Sequence, residues 1–192
     1  MRRYQWILGL VLLTVAVLSC GSDDGDGGIT DEQRQLIMGQ ETGIGLFYSN
    51  LSTPLVLARD EVHSNVRELD INNDGVVDIE LRAYQEFSGN RGLTVTTPSD
   101  STRISLDGQM AVKALEDGDI ITVSTETWGS ADALALAVTE AGAVSGNWVG
   151  AGTRFIAFRM DIGISRFLGY IEISVEDFDN YSLHNFAFRA VP

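Results

Sequence analysis

The stretch that most constrains the fold is Leu69–Leu81, LDINNDGVVDIEL. Asp70, Asn72, Asp74 and Asp78 stand at positions 1, 3, 5 and 9 of a loop, with Gly75 at position 6. Oxygen side chains at every second residue, then a glycine to turn the chain, suit a hard cation such as Ca²⁺, which takes about six to eight oxygen ligands. Val76, at position 7, offers its backbone carbonyl and leaves its side chain free to be apolar. Val77–Leu81 alternates apolar and acidic residues, the pattern of a strand with one buried face. Asp78 and Glu80 then share a face, so Glu80 closes the site from a strand while Leu81 turns to the core. The competing reading is an Asn-Asn-Asp-Gly hairpin turn whose acids are simply solvated. Four oxygen ligands in register with the glycine exceed what a turn needs. The expectation is a structural Ca²⁺ held by Asp70, Asn72, Asp74, Val76, Asp78 and Glu80.

The spacing resembles the calcium loops of EF-hand, dockerin and FG-GAP/VCBS-type proteins. The EF-hand pattern closes with a Glu at position 12; here that position is Leu81, and Glu80 comes one residue early. The loop therefore reads as one that joins β-strands, not helices.

The N-terminus reads as an address. Met1-Arg2-Arg3-Tyr4 is basic, and Trp6–Leu18 is an apolar run of 13 residues. A bilayer span needs about 20, so this length fits a signal-peptide core instead. The run ends in Val17-Leu18-Ser19-Cys20, which resembles a bacterial lipobox with Cys20 as the lipid-bearing first residue of the mature chain. Cys20 is the only cysteine. Once it carries lipid, no thiol is left for a disulfide, a catalytic cysteine or a cysteine–zinc site. Gly21–Gly28, GSDDGDGG, has the composition of a flexible tether. Gly21 stands where an inner-membrane retention signal would place Asp, and the acids behind it are similar to surface-export signals. The expected address is the outer membrane, through the N-terminal lipid, with the cell surface as its outer extension.

Charge narrows the partners. The chain has 13 Lys and Arg against 27 Asp and Glu; losing Arg2 and Arg3 with the leader leaves 11 against 27, a net −16. So acidic a surface repels phosphate backbones and argues against nucleic acid.

The body of the chain reads as β-structure. Ile29–Gln40 is the one helical candidate, with Thr30 as cap and Asp31 and Glu32 in the first turn. Thereafter runs at 44–48, 54–58, 77–87, 92–97, 102–106, 109–115, 119–126, 132–138, 153–162, 166–176 and 181–190 read as strands between Gly- and Asp-rich turns. Asp117-Gly118-Asp119 is a turn without alternate oxygen spacing. The fold class expected is all-β, an antiparallel β-sandwich of jelly-roll-like type with one short N-terminal helix. The organisation is 1–19 leader, 20–43 lipid-bearing Cys, tether and helix, and 44–192 sandwich with its loop at 70–81.

Near the C-terminus, Ile156, Phe158, Met160 and Ile162 alternate with Phe155, Ala157 and Arg159. Ile171, Ile173 and Val175 alternate with Tyr170, Glu172 and Ser174. FIAFRM, GYIEIS and a final NFAF downstream of the DxNxDGxxD loop resemble a group of Gram-negative lipoproteins of unknown function that end in F-I-G-F-R-F…G-W-I…A-Y. Gly169-Tyr170 stands for the Gly-Trp of that pattern and Ala157 for a Gly. The resemblance implies a secreted β-sandwich and supplies no activity.

No catalytic constellation stands out. His63 sits among polar residues, and His184 is read as sharing a strand face with Phe186 and Phe188, a core or interface histidine. No G-x-S-x-G elbow is present. A glycosidase needs two carboxylates across a cleft; Glu126 beside Trp128, Trp148, and Asp177 with Asp179 are the candidates. The leading expectation is a non-catalytic module, binding a glycan or protein or joining a surface assembly. The alternatives are a secreted polysaccharide-active hydrolase anchored to the outer membrane, and a purely structural envelope subunit. Exposed tryptophans over facing carboxylates would favour the enzyme; buried tryptophans would favour the module.

Overall fold

The computed structural model describes residues 31–56, 65–178 and 181–192. The expected leader (1–19), Cys20, the expected tether (21–28), His63 and Asp179 lie outside the described residues. The chain is all-β and its strand pairs are antiparallel. A six-stranded sheet has the order β2 (Leu46–Val56), β13 (Tyr181–Val191), β12 (Ser165–Val175), β11 (Gly152–Ile162), β6 (Thr102–Leu106), β8 (Thr127–Gly129). A five-stranded sheet has the order β10 (Ala143–Ser145), β9 (Leu134–Glu140), β5 (Arg91–Thr96), β4 (Ile79–Gln85), β3 (Asn65–Leu69). The two sheets pack as a sandwich over one apolar cluster. Ile79, Leu81, Leu93 and Val95 enter it from one sheet, and Ile104, Ile156, Phe158, Ile171 and Ile173 from the other. These are the alternate residues of each strand, as pleating requires. Phe158 lies opposite Gly169 across the β11–β12 pair. A Cβ on Gly169 would come within 2.0 Å of the Phe158 ring, so the glycine is the floor on which the ring rests.

The far face of the six-stranded sheet is covered too. Phe155, Ala157, Leu168, Tyr170 and Ala187 point away from the sandwich core and meet Leu36, Met38, Leu115 and Ile121. Leu36 belongs to β1 (Gln35–Ile37), which pairs with β7 (Ile120–Thr122). This corrects the helical reading of 29–40: among its described residues only α1 (Asp31–Arg34) is helical, and a strand follows. Leu36 and Met38 are both buried, a period of two that a helix would split between faces.

Other expectations shift. The runs at 44–48 and 54–58 are, over their described residues, joined in one strand, β2 (Leu46–Val56). The run at 109–115 contributes only single bridges at Val112 and Leu115. The run at 119–126 breaks after Thr122, because the Thr122 hydroxyl accepts from the Thr125 amide and the Thr125 hydroxyl from the Thr122 amide. Such local bonds offer the backbone an alternative to a ladder. The run at 132–138 is a strand, as its alternation suggests.

β13 carries a bulge. Leu183 pairs with Ile173 and Asn185 with Glu172, which leaves His184 as the extra residue. The bulge turns His184 to Ser174, whose hydroxyl lies 2.7 Å from its Nε2, while Phe186 and Phe188 pack on the sandwich core. His184 and the two phenylalanines therefore do not share a face, contrary to the simple alternation.

Candidate functional site

The loop 70–78 joins β3 to β4, as the alternating Val77–Leu81 pattern implies. Its side chains fold back onto its own backbone. The Asp74 amide donates to Asp70 Oδ1 at 3.0 Å and to Asn72 Oδ1 at 2.9 Å. The Gly75 amide donates to Asp70 Oδ2 at 2.8 Å, and the Val76 amide to Asp74 Oδ1 at 2.9 Å. Asn72 Nδ2 donates to Asp74 Oδ2 at 3.0 Å. Two oxygens sharing one amide are necessarily neighbours, so Asp70, Asn72 and Asp74 are gathered on one side of the loop. The tight path is set by left-handed residues Asn73 (φ 60°) and Gly75 (φ 86°). Asn tolerates that region better than most side chains, and glycine best.

Asp78 is the buried member, 2% exposed. Its Oδ2 accepts from the Ile71 amide at 2.9 Å and its Oδ1 from the Thr102 hydroxyl at 3.2 Å. Thr102 opens β6 in the opposite sheet, so this carboxylate ties the loop to the seam between the sheets. Burial pushes the Asp78 carboxyl above its usual value; the Ile71 amide, the Thr102 hydroxyl and the Asn72 amide pull it partly back, and the Asp74 charge adds to the rise. Thr102 was invisible in the sequence, being 24 residues away with no motif around it.

Glu80 sits elsewhere. It lies in β4 between Glu68 and Thr96 on the neighbouring strands. With Arg82, Tyr84, Thr94, Thr96 and Glu140 it lines a depression of about 460 Å³ on the outer face of the five-stranded sheet. Leu81, by contrast, is fully buried in the sandwich. Among the described residues, no three side chains of His, Cys, Asp and Glu form a ready metal cage. The gathered donors are two carboxylates and an amide, with Asp78 behind them.

Neither a family model, nor a curated protein, nor a solved structure matches this chain.

Of the other candidates, Glu126, Trp148 and Trp128 are held by contacts within the fold. Glu126 accepts from the Ser105 hydroxyl and pairs with Lys113, the sole lysine, at 3.0 Å. Its side chain is only 5% exposed. Trp148 is fully buried and donates its indole N–H to the Val112 carbonyl at 3.1 Å. Trp128 is half-buried, donates to the Val123 carbonyl and lies under the Arg159 guanidinium at 5.9 Å. His184 and Ser174 continue to the Thr153 hydroxyl at 2.8 Å, a hydroxyl ladder across the sheet.

Proposed function

We propose that this is an outer-envelope lipoprotein, anchored through Cys20, whose β-sandwich carries a structural Ca²⁺ in the 70–78 loop and acts as a non-catalytic binding or surface-assembly module. The observation that carries the metal reading is the pre-gathered set of Asp70, Asn72 and Asp74 around a turn that Asn73 and Gly75 hold in place. The donors are hard oxygens, the class calcium selects. They would hold the ion with the Val76 carbonyl and Asp78. Glu80 reaches it only by rotating off the outer sheet face, so Glu80→Gln should weaken binding less than Asp70→Ala or Asp74→Ala. The ion would neutralise the loop's carboxylates and brace the β3–β4 turn.

What supports the module over the hydrolase is the state of the tryptophans: Trp148 is enclosed in the core, and Trp128 is held by Val123 and Arg159. The outer-face depression around Arg82, Tyr84 and Glu140 is of a size to receive part of a glycan or peptide. A glycan array with and without calcium tests that ligand.

The metal is tested by melting curves of the protein with calcium and with chelator. Extracellular modules bind calcium at about 10⁻⁴ to 10⁻³ M. With free ion at about ten times the dissociation constant, mass action adds about 1.4 kcal/mol, or a rise of ~3–6 °C for a chain of this size. Asp74→Ala should abolish the rise. No shift in the wild type would remove the site; a large change in circular dichroism would overturn its purely structural role.

A further inference from the structure

The register of the six-stranded sheet brings several chain segments to one end. Leu46 pairs with Arg189, Arg166 with Val191, and Ile162 with Ser165. The start of β2, the end of β13 and the β11–β12 turn therefore lie side by side. This end bears bare apolar side chains: Ile44 is 93% exposed, Phe47 51%, Ile162 37% and Ile164 fully exposed at the tip of its turn. Phe47 is not an isolated outlier. Its ring lies 5.0 Å from Phe188 and 6.2 Å from Phe186, and Phe188 lies 6.1 Å from Phe167, a row of aromatics running inward from the edge strand.

The same end receives the N-terminal segment. Gln33, Gln35, Ile44 and Arg189 together line a cavity of about 380 Å³, which places the chain just after Asp31 beside the start of β2. Ten residues, 21–30, separate Asp31 from Cys20, a distance of eleven chain steps. A glycine-rich chain of that length has a root-mean-square span of about 17–20 Å and reaches at most about 36–40 Å. An anchor at Cys20 thus keeps this end within about 36–40 Å of a bilayer, and at typical spans nearer to it than the opposite end.

We propose that this end of the sandwich rests against a zwitterionic phospholipid surface and presents Ile44, Phe47, Ile162 and Ile164 to it. The inference rests on the lipid-anchor reading and deepens it. Isolated exposed apolar residues are ordinary on a soluble domain; four at one end, beside the incoming tether, are not scattered. Arg166, whose Nε donates to Asp161 at 2.8 Å, and Arg189 flank them, long cationic side chains of the kind that border apolar surface at a membrane interface. The 70–78 loop is tied through Asp78 to Thr102, which pairs with Met160 near the same end, and even with calcium in the loop the chain's net charge of −14 would be repelled by an anionic surface where a zwitterionic one would not repel it.

The test uses the full lipid-bearing chain in phosphatidylcholine vesicles. Because the thiol of Cys20 carries lipid, Ile164→Cys accepts a single environment-sensitive fluorophore, and Phe87→Cys is the control. Phe87 is equally bare but follows β4, which runs away from the loop toward the far end. The fluorophore at 164 should shift to the blue and be quenched by lipids carrying a headgroup nitroxide, while that at 87 should do neither. Vesicle sedimentation is read in the same samples. Protein that sediments with both fluorophores in water would overturn the docking and leave the anchor standing, and equal quenching at both sites would also overturn it. Protein left in the supernatant would remove the anchor and the docking together.

Discussion

Tyr170 and Glu126 are buried polar side chains fixed by one or two partners each, and those partners can be removed singly. Tyr170 is fully buried and donates its hydroxyl to the Gln40 carbonyl at 2.7 Å. Burial first, then the negative charges of Tyr48 (once ionised), Glu172, Glu41 and Asp117, push its phenol well above the usual value. In the unfolded chain it ionises near pH 10. A raised folded-state value means the contribution to stability is fully present below about pH 10 and is lost as pH rises beyond it. Tyr170→Phe should cost about 0.5–1.5 kcal/mol at neutral pH and flatten the alkaline limb of a stability-versus-pH curve from urea melts. Glu126 is a second case, a nearly buried carboxylate held by Lys113 and Ser105. Lys113→Met leaves that carboxylate buried with the serine alone and should cost about 1–3 kcal/mol. Pairing it with Glu126→Gln should recover part of the loss in a double-mutant cycle, and full additivity would show that the two do not interact.

At the scale of elements, the bulge in β13 decides which face its aromatics take. Tyr181 and Leu183 before it, and Phe186 and Phe188 after it, all pack toward the sandwich core, although their numbering changes parity. Deleting His184 removes the extra residue and, with period-two side chains, sends one of the two groups to the other face. The expected result is loss of the cooperative thermal transition, whereas His184→Ala, which keeps the bulge, should melt within a few degrees of wild type. The same element shows what the sequence makes legible. β11 and β12 announce themselves because each buries alternating residues on both sides, and the β3–β4 loop because its oxygens follow a fixed spacing. β3 was missed because only Leu69 of its five residues is buried. β1 was read as helix because its capping residues and its short length hid a two-residue period. Within the loop, Asp70, Asn72 and Asp74 were recognisable as a set. The departure of Glu80 was not, since the alternation that aligned it with Asp78 begins only where the strand does, at Ile79.

For the molecule as a whole, the order β2-β13-β12-β11 matters more than any single contact. Among the described residues, β2, the first strand of the large sheet, pairs only with β13. A chain ending at residue 180 lacks the partner of β2 and one flank of β12, and uncovers Ile171 and Ile173. Such a truncation should show no cooperative melting transition and should be digested rapidly by protease; native-like melting would mean that β13 is an accessory. Long-range antiparallel pairing of this kind closes a loop of more than a hundred residues and is slow to form. The closing strand is also made more than a hundred residues after its partner. Until Tyr181–Val191 arrives, β2 lacks this neighbour and the large sheet cannot close, so a nascent chain must carry β2 unpaired, pliable and threadable, through the making of β6, β8, β11 and β12 before that eleven-residue strand locks it in place.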